Sequence, residues 1–126
     1  MDIAVSRTQM RIAYAGLAAA LLAAAVLEAM TQGAGYWQLA AFALGPDLAL
    51  VYGTGAGLER GQLHPRAVWL YNLLHRFWLP AALAVVAAVG LLPLGYLVGA
   101  LAWGFHIALD RAVGYRLRTR DGFQPA

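Results

Sequence analysis

Apolar residues fall into four long stretches separated by short runs of turn formers. The stretches cover residues 12–30, 36–56, 67–89 and 92–113. Each supplies the roughly 20 apolar residues that a helix needs to cross a bilayer core. The separators are Thr31-Gln32-Gly33-Ala34-Gly35, then residues 57–66, then Gly90-Leu91. Such short links make neighbouring helices antiparallel. Pro93 stands where the last helix begins, a position that needs no backbone donor. The pattern predicts an all-α fold, an integral membrane four-helix bundle formed by one domain over residues 1–126. No repeat or low-complexity tract interrupts it.

Charge adds orientation. All nine basic residues are arginine. Arg7 and Arg11 precede the first span, Arg60 and Arg66 lie between the second and third, and Arg111, Arg116, Arg118 and Arg120 close the fourth. The other two links carry none. The positive-inside rule then places both termini and the middle loop in the cytoplasm, in a multi-pass protein of the inner membrane. Tyr36 and Trp37 fall at the outer interface and Tyr115 at the inner one. The first stretch has the basic start and alanine-rich run of a signal peptide, but it exceeds the usual h-region of about 7–15 residues, so it reads as a retained span.

Composition agrees: 62% of residues are apolar and 12% charged, about half the usual charged share. The net charge of +3 comes from arginines flanking apolar spans, which points to lipid and not to nucleic acid. With no cysteine, disulfides, thiolate metal sites and Fe–S clusters are excluded.

Ionisable side chains inside a span are costly and face the bundle interior as a rule. Here they are Asp47 in the second span, His75 and Arg76 in the third, and His106 and Asp110 in the fourth, with Asn72 beside them. At 1.5 Å rise per residue all but Arg76 fall about 5–15 Å from the inner ends of their helices, in one layer. His106 and Asp110 are four residues apart and share a helical face with Gly95, Gly99 and Trp103. Asn72 and His75 are three apart. Pro46 frees a carbonyl beside Asp47. The bland readings are a buried hydrogen bond between His106 and Asp110, a salt bridge from Arg76 to Asp47 or Asp110, and a solvated His64.

The blocks Pro46-Asp47-Leu48, Tyr71-Asn72-Leu73-Leu74-His75 with Pro80, and Trp103 with residues 106–115 (HIALDRAVGY) resemble the domain of unknown function 4260 family. The resemblance runs over roughly residues 36–118. It implies a small bacterial multi-span membrane protein with no assigned activity. It also implies that Asp47, Asn72, His75, His106, Asp110, Arg111, Gly114 and Tyr115 occupy motif positions.

Three functional classes stay open. Asp47, His75, His106 and Asp110 form an N/O ligand set suited to zinc, iron or manganese, and could serve a metal-dependent enzyme acting on a lipid-like substrate. The same groups could form a proton relay in a transporter, with homo-oligomerisation to enclose a pathway. A structural role would have them lock helix register. Two histidines at similar depth could also ligate haem, though the neighbouring acids suit it poorly. No nucleophile motif or phosphate loop is present; Gly53, Gly55 and Gly57 read as packing and loop entry.

Overall fold

The computed structural model describes residues 5–126; the first four positions of the expected domain lie outside it. All regular structure among the described residues is helical. In chain order it comprises α1 (Arg7–Gln32), α2 (Tyr36–Leu44), a 3-10 turn (Gly45–Asp47), α3 (Leu48–Tyr52), a second 3-10 turn (Pro65–Ala67), α4 (Val68–Leu74), α5 (Trp78–Ala88) and α6 (Gly95–Val113).

α1 starts on a reciprocal cap. Ser6 Oγ accepts from the Gln9 N–H at 3.1 Å, and Gln9 Oε1 accepts from the Ser6 N–H at 2.9 Å. Two orphan donors of the first turn are thereby satisfied. The helix stops at Gly33, whose φ of 63° suits a residue without Cβ and lets its N–H reach the last carbonyls. Ala18, Ala25 and Ala29 are its buried residues. Their spacings of seven and four keep them on one face, and α1 packs against α6.

α6 is the central element, contacting α1, α2 and α5. Its glycines decide how close α2 comes. A Cβ on Gly95 would lie 2.6 Å from Gln38 Nε2, and one on Gly99 would lie 2.8 Å from a Phe42 ring carbon. Gly99 therefore lets α2 approach closely, whereas at Gly95 the end of the flexible Gln38 side chain would have to move.

Two of the four expected spans are not continuous helices. The 36–56 stretch is helical only to Tyr52 and tightens into a 3-10 turn at Gly45–Asp47, because Pro46 has no N–H for the α-helical ladder. The 67–89 stretch breaks between Leu74 and Trp78, with a bend of 44°. Pro80 lies in the first turn of α5, where its missing donor does no harm, and cannot donate to the Arg76 carbonyl. By length and composition α1 is the one unbroken helix able to cross a membrane; the α4–α5 pair meets the same test only if the bent pieces are taken together.

Beyond α6 the chain turns at Gly114 (φ 103°) and folds back along the end of the bundle. Asn72 holds this return. Its Nδ2 donates to the Arg118 carbonyl at 3.0 Å, and its Oδ1 accepts from the Arg118 N–H at 2.7 Å. Further on, the Leu63 N–H donates to the Gly122 carbonyl at 2.8 Å, joining the return to the 53–64 loop. His64 is not simply solvated: its Nδ1 accepts from the Arg66 N–H and caps the second 3-10 turn.

Candidate metal centre

Each site histidine is aimed by a backbone carbonyl. His75 terminates α4, and its Nδ1 lies 2.7 Å from the Tyr71 carbonyl oxygen one turn back. His106, in the buried middle of α6, reaches across to α2 and sets Nδ1 2.7 Å from the Ala43 carbonyl oxygen. The residue three positions beyond Ala43 is Pro46, which has no N–H to offer that carbonyl. The interruption in α2 thus frees the acceptor that orients His106.

A carbonyl oxygen can only accept, so both Nδ1 atoms carry hydrogen. Both Nε2 atoms must then face the other way, and they face each other at 3.2 Å. Two carboxylates complete the group. Asp47 Oδ1 is 3.1 Å from His106 Nε2 and 3.4 Å from His75 Nε2. Asp110 Oδ2 is 3.1 Å from His75 Nε2 and 3.6 Å from His106 Nε2. The four atoms lie within 4.8 Å of one another.

With neutral imidazoles this is a cage of four acceptors and no donor. Such a cage is repulsive unless a cation or protons occupy it. Full protonation of both rings serves poorly, since two N–H groups would then oppose each other at 3.2 Å. A tetrahedral ion bound at about 2.0–2.1 Å needs ligand-to-ligand edges of about 3.3 Å. Five of the edges here run from 3.1 to 3.6 Å. The donor set and its spacing therefore fit a divalent ion such as zinc. The Nδ1–H to carbonyl bonds are the outer contacts that metal-ligating histidines usually carry.

The surroundings make the cage stiff on one side and open on the other. His75 and His106 are 2% and 7% exposed. The Tyr71 ring stacks on His75 with centroids 4.0 Å apart, and the Arg118 guanidinium covers the other end of that stack at 4.9 Å from the Tyr71 ring. Trp103 Nε1 donates to the Leu74 carbonyl at 2.8 Å, and Arg111 Nη2 donates to the His75 carbonyl at 3.0 Å. These two bonds satisfy carbonyls that the break after α4 leaves open. The carboxylates form the open side, with Asp110 20% and Asp47 46% exposed at the side chain. A small apolar groove of about 190 Å³ is lined by Phe42, Pro46, Leu74 and Trp103; none is a cage residue, though Pro46 and Leu74 are chain neighbours of Asp47 and His75.

Of the six residues singled out from sequence, Asp47, His75, His106 and Asp110 meet. Asn72 does not join them; it clamps the returning C-terminal segment. Arg76 lies exposed in the break between α4 and α5, with no carboxylate partner among the described residues. The break itself turns it away. Sequence reasoning marked a carbonyl freed by Pro46 but not its use by His106, and it passed over the Tyr71 carbonyl that aims His75.

The family model described as "Domain of unknown function (DUF4260)" matches residues 10–126. The chain belongs to that family. The match takes in every cage residue and both helix interruptions. Comparison with curated proteins and with solved structures returns no match.

Proposed function

We propose that this DUF4260 protein is a multi-span protein of the inner membrane whose Asp47–His75–His106–Asp110 cage holds a divalent metal ion. We further propose that it is a metal-dependent enzyme acting on a lipid-like substrate. The observation that carries the reading is the pair of Nδ1–H groups tied to carbonyls, which leaves two imidazole lone pairs and two carboxylate oxygens facing one point. Zinc, manganese and iron all suit this ligand set. A bound ion would supply Lewis acidity and activate water there. This chain's own part is to hold the ligands rigid through Tyr71, Ala43, Trp103 and Arg111, and to leave the carboxylate side open, as catalytic sites do and closed structural ones do not. The apolar groove lined by Pro46, the chain neighbour of Asp47, favours a greasy substrate over a sugar or nucleotide.

The membrane part of the reading rests on three features. α1 is long and apolar enough to span. Large apolar side chains face outward around the molecule, among them Leu27, Leu44, Val51, Trp69, Trp78 and Val89. A water-soluble monomer rarely exposes so much. The arginine distribution, finally, supports a cytoplasmic position for both termini and the 53–64 loop.

A second reading has one specific support. The contacts Asp47–His106, His106–His75 and His75–Asp110, at 3.1, 3.2 and 3.1 Å, form an unbroken line along which a proton could pass. Elemental analysis of the detergent-purified protein separates the two. The metal reading expects about one equivalent of a transition ion, lost in His106→Ala. Full stability with no metal and no response to a chelator would sink it and leave the relay.

A further inference from the structure

Four arginines from three parts of the chain surround one cavity of about 630 Å³ at the end of the bundle: Arg7 and Arg11 of α1, Arg111 of α6, and Arg116 of the returning segment. Ligand pockets commonly fall between about 300 and 1,000 Å³. Among the described residues no acidic side chain lines it. The arginines are held by backbone carbonyls instead. Arg11 Nε donates to the Ala112 carbonyl at 2.8 Å, Arg111 Nη2 to the His75 carbonyl at 3.0 Å, and Arg116 Nη2 to the Ala126 oxygen at 3.0 Å, which Arg7 Nη2 approaches at 3.5 Å. Carbonyl dipoles fix the Arg11 and Arg111 guanidiniums in place without cancelling their charge. Each also keeps further N–H groups free, since a guanidinium carries five.

The remaining wall is not polar. Met10, Leu117 and Pro125 line it, together with Tyr14. The Tyr14 ring stacks on Phe77 in the α4–α5 break, with planes 3° apart. A concentrated positive charge beside apolar side chains, at the end of helices whose outer faces are apolar, suits a molecule with an anionic head and a greasy body. Planar guanidiniums match phosphate oxygens in bidentate geometry. We infer that the Arg7–Arg11–Arg111–Arg116 cavity binds a phosphate group carried by a lipid.

This inference rests on the membrane part of the function proposed above and not on the metal. It does connect the two sites: Arg111, which lines the cavity, also bonds the carbonyl of His75. Topology anchors alone would account for arginines scattered at a membrane surface, each drawing anionic lipid weakly. They would not require four to converge on one cavity.

The test is equilibrium binding of short-chain phosphatidic acid to the detergent-purified full chain, with phosphatidylcholine of the same chain length as the neutral control. The expected result is saturable binding of one phosphatidic acid per chain and none of phosphatidylcholine. Arg116→Gln should weaken it about tenfold, and Arg11→Gln with Arg116→Gln about a hundredfold, since each lost charge-assisted bond is worth roughly a factor of ten. Arg60→Gln with Arg120→Gln removes the same charge outside the cavity and should leave affinity within about twofold. Equal losses in the two double variants, or equal binding of both lipids, would overturn the site. Inorganic phosphate is the further arm: displacement at an affinity equal to that of phosphatidic acid would overturn the lipid as source, and displacement only at far higher concentration supports it. Metal content is measured on the same samples. Metal-free protein that binds phosphatidic acid sinks the metal and keeps this site; metal-bearing protein that does not bind it does the reverse. The Arg11→Lys with Arg116→Lys variant guards against misfolding, because it retains the charge and should retain most of the binding.

Discussion

His106 makes two kinds of contact, and they predict different consequences of its loss. Nδ1 spends its proton on the Ala43 carbonyl, while Nε2 meets Asp47, Asp110 and His75. His106→Ala should abolish metal binding and also leave the part-buried Ala43 carbonyl without a donor, at a cost of about 1 kcal/mol. Asp110→Asn separates the effects: it keeps the shape of the side chain and withdraws the charge, so metal should fall with little loss of fold. Glu28→Gln, on α1 and bonded only to Gln32 among the described residues, should change neither. Metal content and thermal unfolding of the three variants check these outcomes. Metal binding to the folded chain alone adds roughly 2.7 kcal/mol at a hundredfold excess over the dissociation constant. A chelator should therefore lower the melting temperature of the native protein and leave that of His106→Ala unmoved.

At the scale of elements, the interruptions matter more than the helices. Trp103 stitches the end of α4 to α6 through the Leu74 carbonyl. Trp103→Phe keeps the ring and removes the donor, so it should cost about 1–3 kcal/mol and loosen His75, read as weaker metal retention during dialysis. The α2–α6 contact is tighter still. A Cβ at Gly99 would meet the Phe42 ring at 2.8 Å, so Gly99→Val must push α2 outward. Overpacking of this kind typically costs about 1–3 kcal/mol. Since α2 carries the Ala43 carbonyl and leads into Asp47, the same change should lower metal content without touching a ligand. Gly16, which has open space around its Cβ position, is the control: Gly16→Ala should be neutral or stabilising, because alanine is the better helix former.

For the whole molecule, the proposed membrane topology is open to direct test. Reporter fusions after Gly33 and after Gly90 should report outside, and one after Gly61 inside; a cytoplasmic signal at Gly33 would reverse the arginine argument. If the chain spans the membrane as proposed, the broken 36–52 and 65–88 segments have a physical purpose. Non-helical backbone at membrane depth is tolerated where it lines a protein-enclosed site, because side chains there replace the missing ladder partners. In this chain those side chains are His106, Trp103 and Arg111, which bond the carbonyls of Ala43, Leu74 and His75. The costs of the two breaks and the orientation of the cage thus have the same solution. The returning C-terminal segment closes the same end. Gly122 has φ of 96° and stands against the Leu63 backbone, where a Cβ would collide with the carbonyl. Gly122→Ala should release the segment and increase its proteolytic sensitivity, with the cage unaffected.

Helical class, family membership and the four cage residues were legible in the chain alone. The first follows from long apolar runs between turn formers, the second from motif blocks in fixed order. The last follows from the cost of ionisable groups in apolar runs, which marks Asp47, His75, His106 and Asp110 wherever they point. Tertiary structure decided the rest. Periodicity continues a helix through Asp47 and through Arg76, because hydropathy does not register a missing N–H; backbone bonding does, and it breaks both helices. Once the third apolar stretch bends, Arg76 turns outward and Asn72 faces the returning segment, so neither joins the cage: not Asn72, which depth arithmetic put in its layer, nor Arg76, which was expected to pair with one of its carboxylates. The tautomers of the histidines depend on carbonyls of Tyr71 and Ala43, and a carbonyl has no letter in a sequence. Nor does the cavity of four arginines: residues 7, 11, 111 and 116 lie at opposite ends of the chain, and only the packing of α1 against α6 brings them around one space.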